Sequence, residues 1–162
     1  MKKLTVKEIA FGGIIAAVYT VISLVLMPIS FGVYQVRIAE AMTVLPFLTR
    51  AAIPGLFIGC FLANISGGMG WLDIVFGSLL TLLAAFSTRY IRQKLGDTKL
   101  AIALAPLPPV LFNAFGVSIY LAPILGFNYW FAVQMIGIGQ LISCYIIGLP
   151  MLIILKKRNI FI

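Results

Sequence analysis

Between Lys99 and Lys156 the sequence carries no charged residue, and the stretch is punctuated by glycine and proline rather than by polar runs. A segment of that length has too few charges to be covered by water. Soluble domains carry about 25% charged residues; here the share is 10%, against 62% hydrophobic. Most of the surface must therefore meet another solvent, and the chain reads as an all-α integral membrane protein. Its length suits a single transmembrane domain over residues 1–162.

Crossing about 30 Å of hydrocarbon takes about 20 apolar residues. Residues 9–27 meet that requirement. They are read as a retained first span, because the run exceeds a signal-peptide core and further apolar segments follow. Residues 36–48 begin with Arg37 and Glu40 and would cover only about 20 Å as an α-helix, so this second segment is short or partly interfacial. The third covers 51–65, with Pro54 in its first turn, and the fourth 71–88. The fifth, 100–121, has Pro106, Pro108 and Pro109 in its first half, so regular helix is expected from about Leu107. The sixth, 129–155, contains Gly137, Gly139, Gly148 and Pro150, which permit a kink.

The expected architecture is a six-transmembrane-helix bundle with cytoplasmic N- and C-termini. With that orientation Lys2, Lys3, Lys7, Arg50, Arg89, Arg92, Lys94, Lys99, Lys156, Lys157 and Arg158 all lie inside, and only Arg37 lies outside. This is the asymmetry of the positive-inside rule. If neither the second nor the third segment crosses, four spans remain with the termini on the same side. The net charge of +8 is explained by these caps. No basic run with interleaved aromatics is present, so nucleic acid is not an expected partner.

The chain has no histidine, which removes histidine-based metal sites, nucleophilic triads and proton relays. Cys60 and Cys144 lie in apolar segments and read as small hydrophobes. No enzyme activity, metal or cofactor is expected. No phosphate-gripping motif is present either, so active transport would draw its energy from partner proteins or an ion gradient.

The remaining polar residues carry the functional information, since ionisable groups in membrane helices are costly and mark sites. Gln35, Arg37, Glu40, Asn64, Asp73 and Gln134 fall toward the outer side. Asn113 and Gln140 lie deeper, and Tyr34 and Trp130 sit among aromatics at the same outer level. Together they suggest an outward-facing polar pocket with aromatic walls. Arg37 and Glu40, three apart, share a helix face and are placed to neutralise each other. Asp73 has no cation near it in sequence and is the first choice as a ligand contact. Trp130 also fits an interfacial belt, and Asn64, Asn113, Gln134 and Gln140 also fit interhelical hydrogen bonding. Gly12, Gly13, Ala16 and Ala17 form a small-residue face on the first helix, and Gly55, Gly59 and Ala63 one on the third. Such faces serve either packing within the bundle or docking of another membrane subunit.

Residues 28–46 (PISFGVYQVRIAEAMTVLP) resemble the signature of the QueT group. So do 52–59 (AIPGLFIG), 62–64 (LAN), 72–79 (LDIVFGSL) and 107–109 (LPP) with Asn113. That group comprises S-components, the substrate-binding membrane subunits of energy-coupling factor (ECF) transporters, assigned to queuosine precursors. The resemblance implies a six-helix subunit in a prokaryotic cytoplasmic membrane. Its outward pocket would be partly closed by the loop after the first helix. It also implies docking on a transmembrane scaffold subunit with two ABC ATPase subunits, through small residues here represented by Gly13 and Ala17. The implied ligand is a queuosine-related base or nucleoside. Its 7-deazaguanine edge offers paired N–H donors to a carboxylate, and its aminomethyl group favours a second acid. Two alternatives remain open: an S-component for another vitamin, and a structural membrane subunit that binds no small molecule.

Overall fold

A computed structural model of the chain describes residues 4–30, 36–68 and 70–158. Among those residues there is no strand. Six helical elements form the bundle: α1 (Val6–Val25), α2 (Ile38–Phe47), α3 (Ala52–Ser66), α4 (Asp73–Leu95), α5 (Lys99–Leu125) and α6 (Tyr129–Lys157). A single added turn, Met27–Ser30, follows α1.

Helices α1, α4, α5 and α6 are long and apolar enough to cross a membrane. The other two are shorter. The 15 residues of α3 reach about 22 Å, and the 10 residues of α2, wound as a 3₁₀-helix, about 20 Å. Neither covers the roughly 30 Å of a hydrocarbon core by itself.

Polarity is arranged opposite to that of a soluble domain. Ile14, Val18 and Val21 on α1, Phe86 on α4, Ile119 on α5 and Ile146 on α6 are exposed, whereas Arg37, Glu40, Asn64, Asp73, Asn113 and Gln140 are buried. Buried polar groups and large apolar exposure are the informative departures from the soluble pattern.

Basic residues gather at one end of the bundle. Thr5 and Glu8 form a capping box at the start of α1, and both Glu8 carboxylate oxygens accept from Arg50, at 2.6 and 3.0 Å. That hydrogen bonding holds the Arg50 guanidinium above its ordinary pKa. Asp97 joins Lys156 at 2.6 Å to Arg92 at 3.9 Å, tying the ends of α4 and α6 together. At the opposite end α5 closes on Gly126 in the left-handed region (φ 70°). Phe127 N–H donates to the Ala122 carbonyl and Gly126 N–H to that of Pro123, a Schellman turn. Asn128 then caps α6 by accepting from Trp130 N–H at 2.9 Å.

The tightest helix pair is α1 against α3. A Cβ at Gly55 would lie 2.6 Å from the Gly12 carbonyl oxygen, and one at Gly59 2.9 Å from that of Ala16. Thr20 Oγ1 bridges the pair, donating to the Ala16 carbonyl at 2.8 Å and the Gly59 carbonyl at 3.1 Å. The first helix's small residues are thus split between two faces. Gly12 and Ala16 are buried against α3, while Gly13 and Ala17 are exposed.

Helix α5 restarts where its prolines require. After Lys99–Leu104 the chain turns, and helix resumes at Leu107. Pro109 has no N–H for the Ala105 carbonyl, and Thr88 Oγ1 of α4 donates to that oxygen at 3.1 Å. Thr88→Val keeps the shape and removes the donor, leaving a buried carbonyl unmet. The expected cost is about 1–3 kcal/mol, read as an earlier midpoint in thermal or denaturant unfolding of the purified chain.

Candidate functional site

Helix α2 lies at the centre of the bundle, with residues 39–47 all buried. A 3₁₀-helix has three residues per turn, so its sequence divides into three straight stripes. Ala39, Met42 and Leu45 join the core shared with α1 and α3, and Val44 and Phe47 the core shared with α5 and α6. The third stripe holds Glu40, Thr43 and Pro46, and Arg37 caps the helix in an extended conformation just before it. In an α-helix Thr43 would rotate away from Glu40; here it stays in line.

Three surrounding helices open into π-helical turns facing this stripe: Asp73–Gly77 in α4, Phe112–Val117 in α5 and Ile142–Gly148 in α6. A π turn widens the helix and re-aims its side chains. These turns carry Asp73, Asn113 and Cys144. Hydroxyls accompany the widened backbone: Ser78 Oγ donates to the Ile74 carbonyl at 2.7 Å, and Ser118 Oγ to the Ala114 carbonyl at 2.6 Å.

The two acids have distinct partners. Glu40 accepts from the Tyr19 hydroxyl of α1 and from Asn113 Nδ2 at 3.2 Å. Its backbone carbonyl accepts from Thr43 Oγ1 at 2.6 Å and faces Cys144 Sγ at 3.6 Å; the same sulfur lies 3.6 Å from Gln140 Oε1. Asp73 Oδ1 accepts from the Tyr120 hydroxyl at 2.9 Å and pairs with Arg37 at 3.5 Å. Asn64 Nδ2 donates to the Asp73 backbone carbonyl at 2.8 Å. The ion pair Arg37–Asp73 thus links α2 to α4 across 36 positions of sequence.

Arg37, Glu40, Asn64, Asp73, Asn113 and Gln140 are each no more than 6% exposed. Asn64 Oδ1, within this group, is buried without a hydrogen-bond partner. Gly77 borders the same space. A Cβ there would stand 3.4 Å from both Asn64 Nδ2 and the Tyr120 hydroxyl, so glycine keeps room beside the polar tips.

A family model described as QueT transporter matches residues 9–157. The chain belongs to the QueT transporter family. No curated protein and no solved structure matches it. The matched region of this QueT chain contains every member of the buried network.

The structure of this family member does not gather all the residues singled out from sequence. Trp130 is 64% exposed and stacks edge-on with Tyr129, and Gln134 is exposed one turn further along α6. Both lie away from the network. Tyr34 and Gln35 fall outside the described residues. In turn, Tyr19, Thr43 and Cys144 touch Glu40 or its backbone and were not among the sequence candidates, while Tyr120, one of the aromatics expected at the outer level, touches Asp73. A tyrosine in an apolar span does carry a signal, because its buried hydroxyl must find a partner. Thr43 becomes visible only when the three-residue period of α2 is known. Among the described residues no group of three metal-ligating side chains occurs.

Proposed function

We propose that this QueT chain is the substrate-capture subunit, or S-component, of an ECF-type importer. In this reading it is a multi-pass protein of a prokaryotic cytoplasmic membrane with both termini inside. It binds a queuosine-related 7-deazaguanine (queuine, its precursor or the nucleoside) at the network around Arg37, Glu40 and Asp73. One observation carries the reading. A transporter-family chain buries two acids, a guanidinium and three amide side chains together inside an apolar bundle. Burying each charge costs several kcal/mol before pairing offsets it, and membrane helices accept that cost at functional positions.

The geometry favours this ligand chemistry. The base edge, with its ring N–H and exocyclic amine, presents the same paired donors as a guanidinium. Asp73 Oδ1 accepts from the Tyr120 hydroxyl at 2.9 Å and meets Arg37 at 3.5 Å, the latter longer than the roughly 2.7–2.9 Å of a strong charged hydrogen bond, so a paired donor has to displace the weaker of the two contacts. Glu40 is the acid for the cationic aminomethyl group. Asn64 Oδ1 accepts a further N–H, while Asn113 and Gln140 complement the carbonyl and ring nitrogens. Tyr34 and Gln35, outside the described residues, are proposed as further ligand contacts. Trp130 and Gln134 are left out of the pocket because they face away from it.

Energy is proposed to come from a transmembrane scaffold and two ABC ATPase subunits. The docking face is reduced to Gly13 and Ala17, since Gly12 and Ala16 are occupied by α3. A Cβ at Gly13 meets nothing within 4 Å. Gly13→Leu is therefore expected to fold and bind ligand normally, yet to lose co-purification with the scaffold and at least about tenfold of uptake.

The deciding assay is queuine uptake in cells unable to make queuosine, with the scaffold and ATPases co-expressed. Uptake is expected with the native chain and not with Asp73→Ala/Glu40→Ala, and excess riboflavin, thiamine or biotin should not compete. Normal salvage by the double variant would remove the network from the proposal.

A further inference from the structure

At the basic end of the bundle an open cavity of about 720 Å³ is lined by Leu4, Arg50, Ile53, Pro54, Phe86, Ser87, Arg89, Tyr90 and Gln93. It shares no residue with the buried network. Its lining has two parts. Arg50 and Arg89 supply guanidinium groups, and Ser87 and Gln93 supply neutral polar groups. Leu4, Ile53, Pro54, Phe86 and Tyr90 make an apolar wall, of which Phe86 is 49% and Tyr90 59% exposed.

Basic groups outnumber acidic ones in this region, where Glu8 pairs with Arg50 and Asp97 with Arg92. Arg92, three residues from Arg89, adds a third guanidinium on the same face of α4 and lies over the Phe47 ring at 5.4 Å. Glu8 bonds Arg50, but none of the described residues lining the cavity is acidic. Arg89 donates to the Pro46 carbonyl at 3.4 Å, a long contact that leaves most of its five donors available. Arg89, with the Glu8-paired Arg50 across the cavity, beside an apolar wall matches an amphipathic anion, a phosphate-bearing head with a hydrocarbon tail.

We propose that this cavity is a binding site for an anionic phospholipid of the cytoplasmic leaflet. The phosphate lies between Arg50 and Arg89, and the first part of an acyl chain lies along Ile53, Phe86 and Tyr90. Guanidinium groups bind phosphate oxygens through paired N–H donors, and basic recesses between helices at this leaflet take anionic head groups. A free phosphate would use only the polar half; the exposed aromatic wall favours a lipid. The inference rests on the proposed membrane embedding and orientation and not on the identity of the transported ligand.

Native mass spectrometry of the full chain in detergent, titrated with phosphatidylglycerol or phosphatidylcholine, tests it. Each arginine near an anionic surface contributes about fivefold in affinity, so phosphatidylglycerol should bind at least about fivefold more tightly than phosphatidylcholine. Arg89→Gln is expected to reduce that preference about fivefold, Arg89→Lys to retain most of it, and Lys157→Gln, outside the cavity, to leave it unchanged. Equal binding of the two lipids by the native chain would overturn the proposal without any variant. So would full preference in Arg89→Gln, or displacement of the lipid by millimolar inorganic phosphate. Queuine binding remains intact in Arg89→Gln if only the lipid site is lost.

Discussion

Asp73→Asn is expected to weaken ligand binding by about ten- to a hundredfold, the equivalent of one or two hydrogen bonds to a charged group. The asparagine keeps the shape but lacks the charge and the second acceptor that a paired N–H edge requires. Two effects must be separated, because Asp73 also pairs with Arg37 inside the bundle, where the two side chains are 5% and 7% exposed. Removing one partner of a buried pair leaves the other uncompensated, at about 3–5 kcal/mol. The single variant should therefore also lose stability. Arg37→Gln/Asp73→Asn removes both charges and should recover much of that stability. Binding should stay low in the double variant, since the acceptor for the base is still missing. Recovery of both together would mean that Asp73 is a packing partner and not a ligand contact.

Gly59→Leu is expected to prevent the native bundle from forming. A Cβ at this position would stand 2.9 Å from the Ala16 carbonyl oxygen and 2.9 Å from Tyr19 Cβ. The obstacle is backbone and the first atom of a side chain, so no rotamer change relieves it. Helix α1 would have to move away from α3, breaking the Thr20 bridge to the Gly59 carbonyl and withdrawing the Tyr19 hydroxyl from Glu40. Overpacking alone costs about 1–3 kcal/mol, and the lost hydrogen bond to a buried carboxylate adds about 1.5–3 kcal/mol. The readout is size-exclusion chromatography of the detergent-solubilised chain. A monodisperse peak is expected for Gly13→Leu and aggregated or absent protein for Gly59→Leu. Identical behaviour of the two would contradict the division of the small residues between an inner and an outer face.

The long elements were readable because their physics is local. Apolar length set α1, α4, α5 and α6, and the missing N–H groups of Pro108 and Pro109 placed the restart of α5 near Leu107, where the helix resumes. The gathering of Glu40, Asn64, Asp73, Asn113 and Gln140 followed from the cost of polar groups in an apolar bundle. What sequence did not reveal depends on winding and rotation. An α-helical reading of 36–48 hides the stripe that aligns Thr43 with Glu40. Regular winding of α4, α5 and α6 gives no hint of the three π turns that aim Asp73, Asn113 and Cys144. Trp130 and Gln134 have suitable chemistry, but the rotation of α6 leaves both exposed. Adjacent Gly12 and Gly13 differ by one step around a helix, which decides whether a small residue packs inside or is exposed.

The most direct test of the central claim is calorimetric titration of the purified full-length chain with queuine, beside riboflavin, thiamine and biotin, repeated with Asp73→Asn/Arg37→Gln. Saturable one-to-one heat is expected with queuine or its precursors alone, and its loss in the folded double variant. Unchanged queuine binding in that variant, or heat from another vitamin but none from the deazaguanines, would contradict it.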